Sequence, residues 1–495
     1  MVAPVSAPSS SSPSFDRRSR AYLILCGVIA AILAALLVYS QTRAFAWDAA
    51  FHLLAARLIR EGQRPYLDFC FPQTPLNAWL NVAWMSIFGD DWRSAQALAA
   101  IMTGGAILLT ADLVYARFPE RKWKLPAAIF SAILCVSVYN LVAYGTVAQA
   151  YGVSLMLTVG GVRLAMAAVR RGSLAVIFAA GLCASASAAC SLLTAAAVPV
   201  ILAWCVFENQ AADRWKTAVT FLAGSIVPFL PVARLYLEGP RQVLFNLVQY
   251  QTLYRRTKWE GATQHDFEVF FGTSETPAAL MLILLAAAGL VYAARNWDRQ
   301  LRSELYLSAA VGIALSVESA ATHPTFERYF LLAVPFLAIP AAVGLFAVTS
   351  KLYSSDRPWA AVAAAAGLAA FGFAGQLYGD RDSLTWQHME RIAAKVNQVT
   401  PPGAPVFADE PTFYLSRRPL PDGMEFSHAY KLELPPAQAK LLHILPQSRI
   451  DQMIGQKQFA TVETCEDDEI QRLKLDSLYS EHYNDGTCTV FWHLK

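Results

Sequence analysis

The sequence predicts a polytopic, all-α membrane domain of about eleven transmembrane helices, followed by a small C-terminal α/β domain. Three observations carry this prediction. Of the 495 residues, 55% are hydrophobic and only 16% charged, where a soluble chain carries about 25% charged residues. Apolar runs long enough to cross a ~30 Å hydrocarbon core at ~1.5 Å per residue recur from residue 21 to residue 377. The charge is also divided. Residues 1–377 hold 28 Lys and Arg against 20 Asp and Glu, whereas residues 378–495 hold 12 against 17. A basic membrane part and an acidic tail are two different physical objects. The basic excess sits in short loops between apolar runs, as membrane orientation requires, so it is no sign of nucleic-acid binding.

The first fifteen residues are rich in Ser, Pro and Ala and are expected to be disordered. With Arg17, Arg18 and Arg20 they make residues 1–20 a cytoplasmic tail. The apolar run from Ala21 to Tyr39 follows. It exceeds the ~7–15 residues of a signal peptide's apolar region, although Ala44-Phe45-Ala46 resembles a cleavage site. Further runs fall near 94–116, 125–142, 146–169, 174–190, 192–207, 216–236, 276–294, 303–320, 328–349 and 358–377. The stretch 174–207 reads either as a tight pair or as one long segment.

Loop charges test this count. Arg117/Arg121/Lys122/Lys124, Arg163/Arg170/Arg171, Arg214/Lys216, Arg295/Arg299/Arg302 and Lys351/Arg357 fall in alternate loops, while 142–146 and 190–193 carry neither Lys nor Arg. The positive-inside rule then places the N-terminus in the cytoplasm and the C-terminus outside a plasma (inner) membrane. The transmembrane domain, 21–377, has two long outer loops, 41–93 and 237–275, and the tail domain spans 378–495.

In the tail, a helix is expected over 382–399, strands near 405–408, 459–462 and 488–493, and helices near 447–456 and 467–474. Cys465 and Cys488 could pair if the domain faces an oxidising compartment. Arg417 and Arg418 read as structural, and the acid run Glu466–Glu469 as a solvated helix start, so no chemistry is assigned to the tail. No GxGxxG, Walker motif or Cys/His cluster occurs, so neither a cofactor nor a metal is indicated, although a divalent ion is not excluded.

The first outer loop carries the most information. Phe51, Leu54, Leu58 and Ile59 recur at helical spacing, which predicts an amphipathic interfacial helix over 48–61, closed by Gly62, and a second over 76–88, closed by Gly89. Asp48 opens the first helix. It can be an N-cap, or a general base for an acceptor hydroxyl. His52, one turn on, is either an ordinary interfacial residue or a polar partner of Asp48. Asp68, within Pro65-Tyr66-Leu67-Asp68-Phe69, binds acceptor or braces the loop.

Cations set beside aromatic residues lie further along. Arg328, beside Tyr329 at the mouth of a late span, either grips phosphate or snorkels. Glu327 is a neighbouring pairing candidate, and Glu318, near the end of a span, needs a partner such as Arg328. Arg255, Arg256 and Lys258 stand beside Trp259 and His265, and suit either a phosphate or anionic lipid. His323, before Pro324, contacts phosphate or caps the preceding span.

The run from Asp48 to Leu76 combines an acidic start, an apolar helix, Gly62, Pro65-Tyr66-Leu67-Asp68 and Pro72-Gln73-Thr74-Pro75-Leu76. It resembles the first outer loop of the GT-C glycosyltransferases, the broad class of protein O-mannosyltransferases and lipid A aminoarabinose transferases. His323-Pro324, Arg328-Tyr329-Phe330-Leu331 and Pro335 resemble a later segment of the same class. The motifs cover about 40 residues and the architecture most of the chain.

The resemblance implies a polyprenyl-phosphate sugar donor, Asp48 as base or acceptor-orienting group, usual inversion at the anomeric carbon, and an envelope glycan, lipid or protein as acceptor. Many relatives have two adjacent acids where this chain has Asp48-Ala49, which weakens a metal proposal. The rival functions are a transporter or flippase of lipid-linked material and an inactive assembly factor with the same fold.

Overall fold

The structure, a computed structural model, describes residues 14–209, 213–273, 275–352 and 357–495. Of the fifteen residues expected to be disordered, the first thirteen lie outside them, and Ser14 and Phe15 are helical instead. The first helix, α1 (Ser14–Thr42), begins inside the expected tail and outruns the predicted span at both ends. The first long loop then forms α2 (Trp47–Arg60) and α3 (Leu76–Phe88).

Ten helices follow up to residue 272: α4 (Trp92–Arg117), α5 (Lys124–Ser137), α6 (Tyr139–Gly145), α7 (Tyr151–Arg171), α8 (Leu174–Cys190), α9 (Ala197–Glu208), α10 (Arg214–Ile226), α11 (Leu230–Glu238), α12 (Pro240–Leu244) and α13 (Ala262–Gly272). A π-helical segment, Phe245–Tyr254, separates α12 from α13. The bundle ends with α14 (Pro277–Asn296), α15 (Arg299–Ala321), a 3-10 segment Glu327–Ala333, α16 (Val334–Leu352) and α17 (Pro358–Gly379).

Among the described residues, eight helical stretches are long and apolar enough to cross a membrane. The expected run 125–142 is not one straight span. It is α5 and α6, bent by 69° at residue 138, and counts as a ninth only if the pair crosses together. The stretch 174–207 resolves into two shorter apolar helices. Side-chain caps mark several starts. Asp91 accepts from Ser94 N–H at 2.7 Å and Asp298 from Leu301 N–H at 2.9 Å.

The core runs along α16, which is buried almost throughout, while α1 and α17 turn apolar side chains such as Leu23 (68% exposed) and Phe371 (77% exposed) outward, as lipid contact requires. Helices α14 and α16 touch backbone to backbone. A Cβ on Gly344 would lie 1.8 Å from Leu285 O, and one on Gly289 2.0 Å from Pro340 O. Small residues at such a crossing allow the approach that drives helix association in lipid.

One end of the bundle collects the predicted cytoplasmic charges. Arg117 at the end of α4 and Arg170 at the end of α7 both donate to Glu304 near the start of α15, at 2.6 and 2.8 Å. The other end carries α2, α3 and the tail. Arg43 donates to Arg381 O at 2.7 Å, and Tyr139 hydrogen-bonds Asp380, tying α1 and α6 to the exit of α17.

The tail is the expected α/β unit. Helix α18 (Trp386–Val399) precedes a four-stranded sheet of order β1-β2-β4-β3, with β1 Val406–Phe407, β2 Thr461–Thr464, β3 Tyr479–Asn484 and β4 Thr489–Leu494. Strand β1 pairs parallel with β2, and β4 runs antiparallel to both its neighbours, with Val462 opposite Phe491. Strand β3 is absent from the sequence reading, because its residues after Tyr479 are exposed and show no apolar alternation. Met389, Ile392 and Val396 of α18 cover one face of the sheet, and Ile450 and Ile454 of the helix Gln447–Gly455 cover the other. A disulfide joins Cys465, after β2, to Cys488, before β4.

The tail corrects the expected placement of α2. An interfacial helix buries one face, yet Ala49 through Leu58 are all buried. One side, with Ala49, Ala50 and Leu53, packs on Met85, Trp92 and Trp386. The other, with Phe51, Leu54 and Leu58, packs on Phe426, Leu432 and Ile444 of the tail. Buried Arg57 donates to Phe413 O at 2.9 Å, and Trp92 stacks on Trp386 at 5.5 Å. The helix α2 is thus clamped between bundle and tail.

Candidate active site

A cavity of about 1420 Å³ opens where α2, the α6–α7 junction, the π-helical segment, the 3-10 segment Glu327–Ala333 and the tail meet. Of the residues singled out in the sequence, Asp48, His52, Arg255, His323, Arg328 and Tyr329 line it, together with Arg256, Trp259, Glu318 and Glu327.

Asp48 lies in the first turn of α2, but it is not the cap. That position is Ala46, and no side chain caps the helix. The Asp48 carboxylate instead accepts from Arg328 at 2.8 Å, with His428 Nε2 of the tail 3.8 Å from its other oxygen. Burial pushes the carboxyl up, but Arg328 above all, with His428 and Arg255, holds it below the usual carboxylate range. It is an ionised carboxylate in a cavity, two links from the sequence: the Trp47-Asp48 helix start, and the packing that buries it.

Arg328 is itself shaped for an anion. Its guanidinium lies 4.4 Å from the Phe326 ring centre, within cation–π reach, and its Nε is buried without a partner. Neither Glu327 nor Glu318 pairs with it. Glu318 accepts from Ala196 N–H at 2.9 Å. Beside it, Arg255 hydrogen-bonds the Tyr329 hydroxyl and lies 5.6 Å from that ring centre. Lys431 of the tail donates to Arg255 O, and burial, with Arg255 nearby, lowers its pKa. His323 lines the cavity and pairs with Asp266, whose second oxygen accepts from Thr325 N–H at 2.7 Å. That pairing positions the loop.

His52 is 4% exposed, its ring 4.5 Å from that of Phe51 and 5.8 Å from that of Phe71. Burial lowers its pKa to about 4, against the pull of Asp48, so the imidazole is neutral at pH 7. It is neither an interfacial residue nor a cation.

Two predicted site residues fall outside the cavity. Asp68 accepts from the Arg64 backbone N–H at 2.7 Å and from its guanidinium at 2.8 and 2.9 Å, which is the loop-bracing alternative. Lys258 is exposed, and its nearest carboxylate is Glu433 at 3.9 Å. Its place at the cavity is taken by Arg255 and Arg256.

The tail supplies what sequence reading missed. His428 and Lys431 join the cationic wall, while Asp409, Glu410, Glu466 and Glu469 line the cavity from the tail side. The acid run is therefore not merely a solvated helix start. Burial, with Glu463 and Glu410 close by, raises Asp409 well above its ordinary range, and burial raises Glu463 to about 7. No local pattern marks His428 or Lys431, since only tertiary packing brings them to Asp48. Tyr144, Gln149, Tyr151 and Tyr250 line the cavity too and were also missed. Among the described residues, the side chains grouped closely enough to share an ion are Glu463, Cys465 and Cys488, and the cysteines form the disulfide.

No protein-family model and no curated protein matches this sequence. The fold does match solved structures. ArnT from Cupriavidus metallidurans bound to undecaprenyl phosphate superposes with a TM-score of 0.66 at 15% identity, over 95% of this chain and 97% of that one. The apo state of the same protein gives 0.67 at 15% identity, over 96% and 98%. The chain thus has the ArnT-like GT-C fold along nearly its whole length, as the first-loop motif implied.

Proposed function

We propose that this protein is a membrane glycosyltransferase that moves a sugar from a polyprenyl-phosphate donor to a hydroxyl of a cell-envelope glycan, lipid or protein. The observation that carries the reading is the Asp48–Arg328 pair, at 2.8 Å on a large cavity, with Arg328 Nε left unpartnered. The Arg328 side chain lines the cavity and stays partly exposed, so a phosphate can meet its guanidinium while Arg328 still holds Asp48. The fold match to a structure bound to undecaprenyl phosphate supports the same ligand class here.

The chemistry follows from these positions. The acceptor oxygen forms a new bond to the anomeric carbon as the bond from that carbon to the phosphate oxygen breaks. The electron pair leaves on the phosphate, where Arg328 and Arg255 meet the developing charge. Asp48 accepts a hydrogen bond from the acceptor hydroxyl, aligns it, and takes its proton as the new bond forms. Attack from the face opposite the phosphate inverts the anomeric centre, and the sugar transferred is a hexose or pentose. The alternating loop charges support an inner-membrane orientation with the N-terminus in the cytoplasm and the cavity and tail outside, where envelope acceptors lie.

Binding of the lipid carrier tests the phosphate half of this reading. Undecaprenyl phosphate should raise the Tm of the purified protein, and undecaprenol, which lacks the phosphate, should raise it much less. Arg328→Gln and Arg255→Gln should each lose most of the difference between the two ligands. Equal shifts for both lipids, or variants that respond like wild type, contradict the reading.

A further inference from the structure

The cavity wall beside α2 holds a polar side chain that neither the fold nor the chemistry above uses. Gln149 lies at the junction of α6 and α7, lines the cavity, and is 3% exposed. Both of its amide atoms, Oε1 and Nε2, are buried without a hydrogen-bond partner. Its backbone is fixed. The Gln149 N–H donates to Val147 O at 2.7 Å, and Val147 and Ala148 are buried against Ala49, Ala50 and Leu53, the part of α2 that follows Asp48. His52, on the same helix and the same cavity, has its Nδ1 buried without a partner as well.

Other buried amides do not share this arrangement. Gln96 donates through Nε2 to Ala44 O at 3.0 Å, and Asn77, also unpartnered, does not line the cavity. An amide left wholly unbonded in a buried site carries the full desolvation cost of two polar atoms. A ligand that bonds both atoms removes that cost. The atoms needing partners are one acceptor, one double donor and an imidazole nitrogen, with no net charge among them. A sugar hydroxyl, which donates one hydrogen bond and accepts others, is their match.

We infer that Gln149 is a specificity-determining residue that, with His52, reads ring hydroxyls of the sugar held beside Asp48. The inference rests on the glycosyl-transfer reading and names its sugar-recognition element. A site that hydrogen-bonds a substrate hydroxyl rejects the analogue lacking it, because the protein groups are then left unpaired.

The test compares wild type with Gln149→Leu in lipid nanodiscs. The first measurement is the Tm without substrate. The second is kcat/KM with undecaprenyl-phosphate-linked glucose, mannose and arabinose, and with deoxy forms of whichever wild type uses best. Leu removes two unsatisfied polar atoms at nearly the same volume, so the substrate-free Tm should stay level or rise. In the same variant kcat/KM should fall by at least about tenfold, and the preference for the hydroxylated donor over its deoxy form should shrink toward unity. A variant whose Tm drops by several degrees, or one that keeps wild-type kcat/KM and preference, overturns the inference and leaves the transferase reading intact. A wild type that transfers no sugar from any polyprenyl-phosphate donor overturns the transferase reading, and the inference with it.

Discussion

At one end of the bundle Glu304 accepts from Arg117 and Arg170, and at the other Asp48 accepts from Arg328. Both are arginine–carboxylate contacts between segments far apart in sequence. Glu304 has both oxygens taken, and its side chain is 6% exposed. Asp48 has one arginine, a histidine 3.8 Å away, and a cavity of about 1420 Å³ in front of it. The first pair has spent its hydrogen-bonding capacity on the fold. The second keeps capacity in reserve, including the free Nε of Arg328. What separates the two contacts is the cavity in front of the second, which leaves Asp48 and Arg328 a side that a ligand can reach.

Variants at the two ends sharpen that contrast. Glu304→Gln removes the charge that two partly exposed arginines share and should cost about 3 kcal/mol of stability, the low end of the range for breaking a buried pair, because water still reaches both guanidinium groups. Transfer per folded molecule should be unchanged. Thermal melts together with specific activity check both halves, and a variant as stable as wild type would refute the structural role.

The next effect concerns His52 and pH. Its folded pKa of about 4 lies below the ordinary ~6.5. Between those values the unfolded chain binds a proton that the folded site refuses, so this contribution to stability is complete above pH ~6.5 and is lost as pH falls toward 4. The loss reaches about 3 kcal/mol at the acid end. His52→Leu should flatten the stability profile over that window. Parallel profiles for the two proteins would show that His52 is not held neutral.

The smallest effect belongs to Asp68. Its pairing with Arg64 is half-exposed, so Asp68→Asn should cost about 1 kcal/mol or less and leave transfer at the wild-type level. A large loss of transfer would return Asp68 to the site.

These contrasts also show what sequence can carry. The apolar runs became helices because hydropathy is a local property that a bilayer rewards directly. The bend at residue 138 was not legible, since Lys124–Gly145 is apolar on both sides of it. The burial of α2 was hidden for a related reason. Its second face is built of Ala49, Ala50, Leu53 and Ala56, small residues that do not stand out until the tail covers the opposite face. Asp48, Arg328 and Arg255 were legible because each is a charged residue at the edge of an apolar or aromatic setting. Asp68 has the same local look, and only the position of Arg64 shows that it is spent. His428, Lys431 and Gln149 carry no local signal, because only long-range packing brings them to the cavity.

The most direct test of the central claim is transfer of labelled sugar from undecaprenyl-phosphate donors by the purified full-length protein, with Asp48→Asn alongside. Asn keeps the size of the side chain but can neither hold the negative charge nor take the proton. The account predicts transfer by wild type and a drop of about 10²–10⁴-fold in the variant. Equal transfer by both proteins would contradict it by removing Asp48 from the mechanism, and absence of transfer by wild type with every donor would contradict the assignment as a transferase.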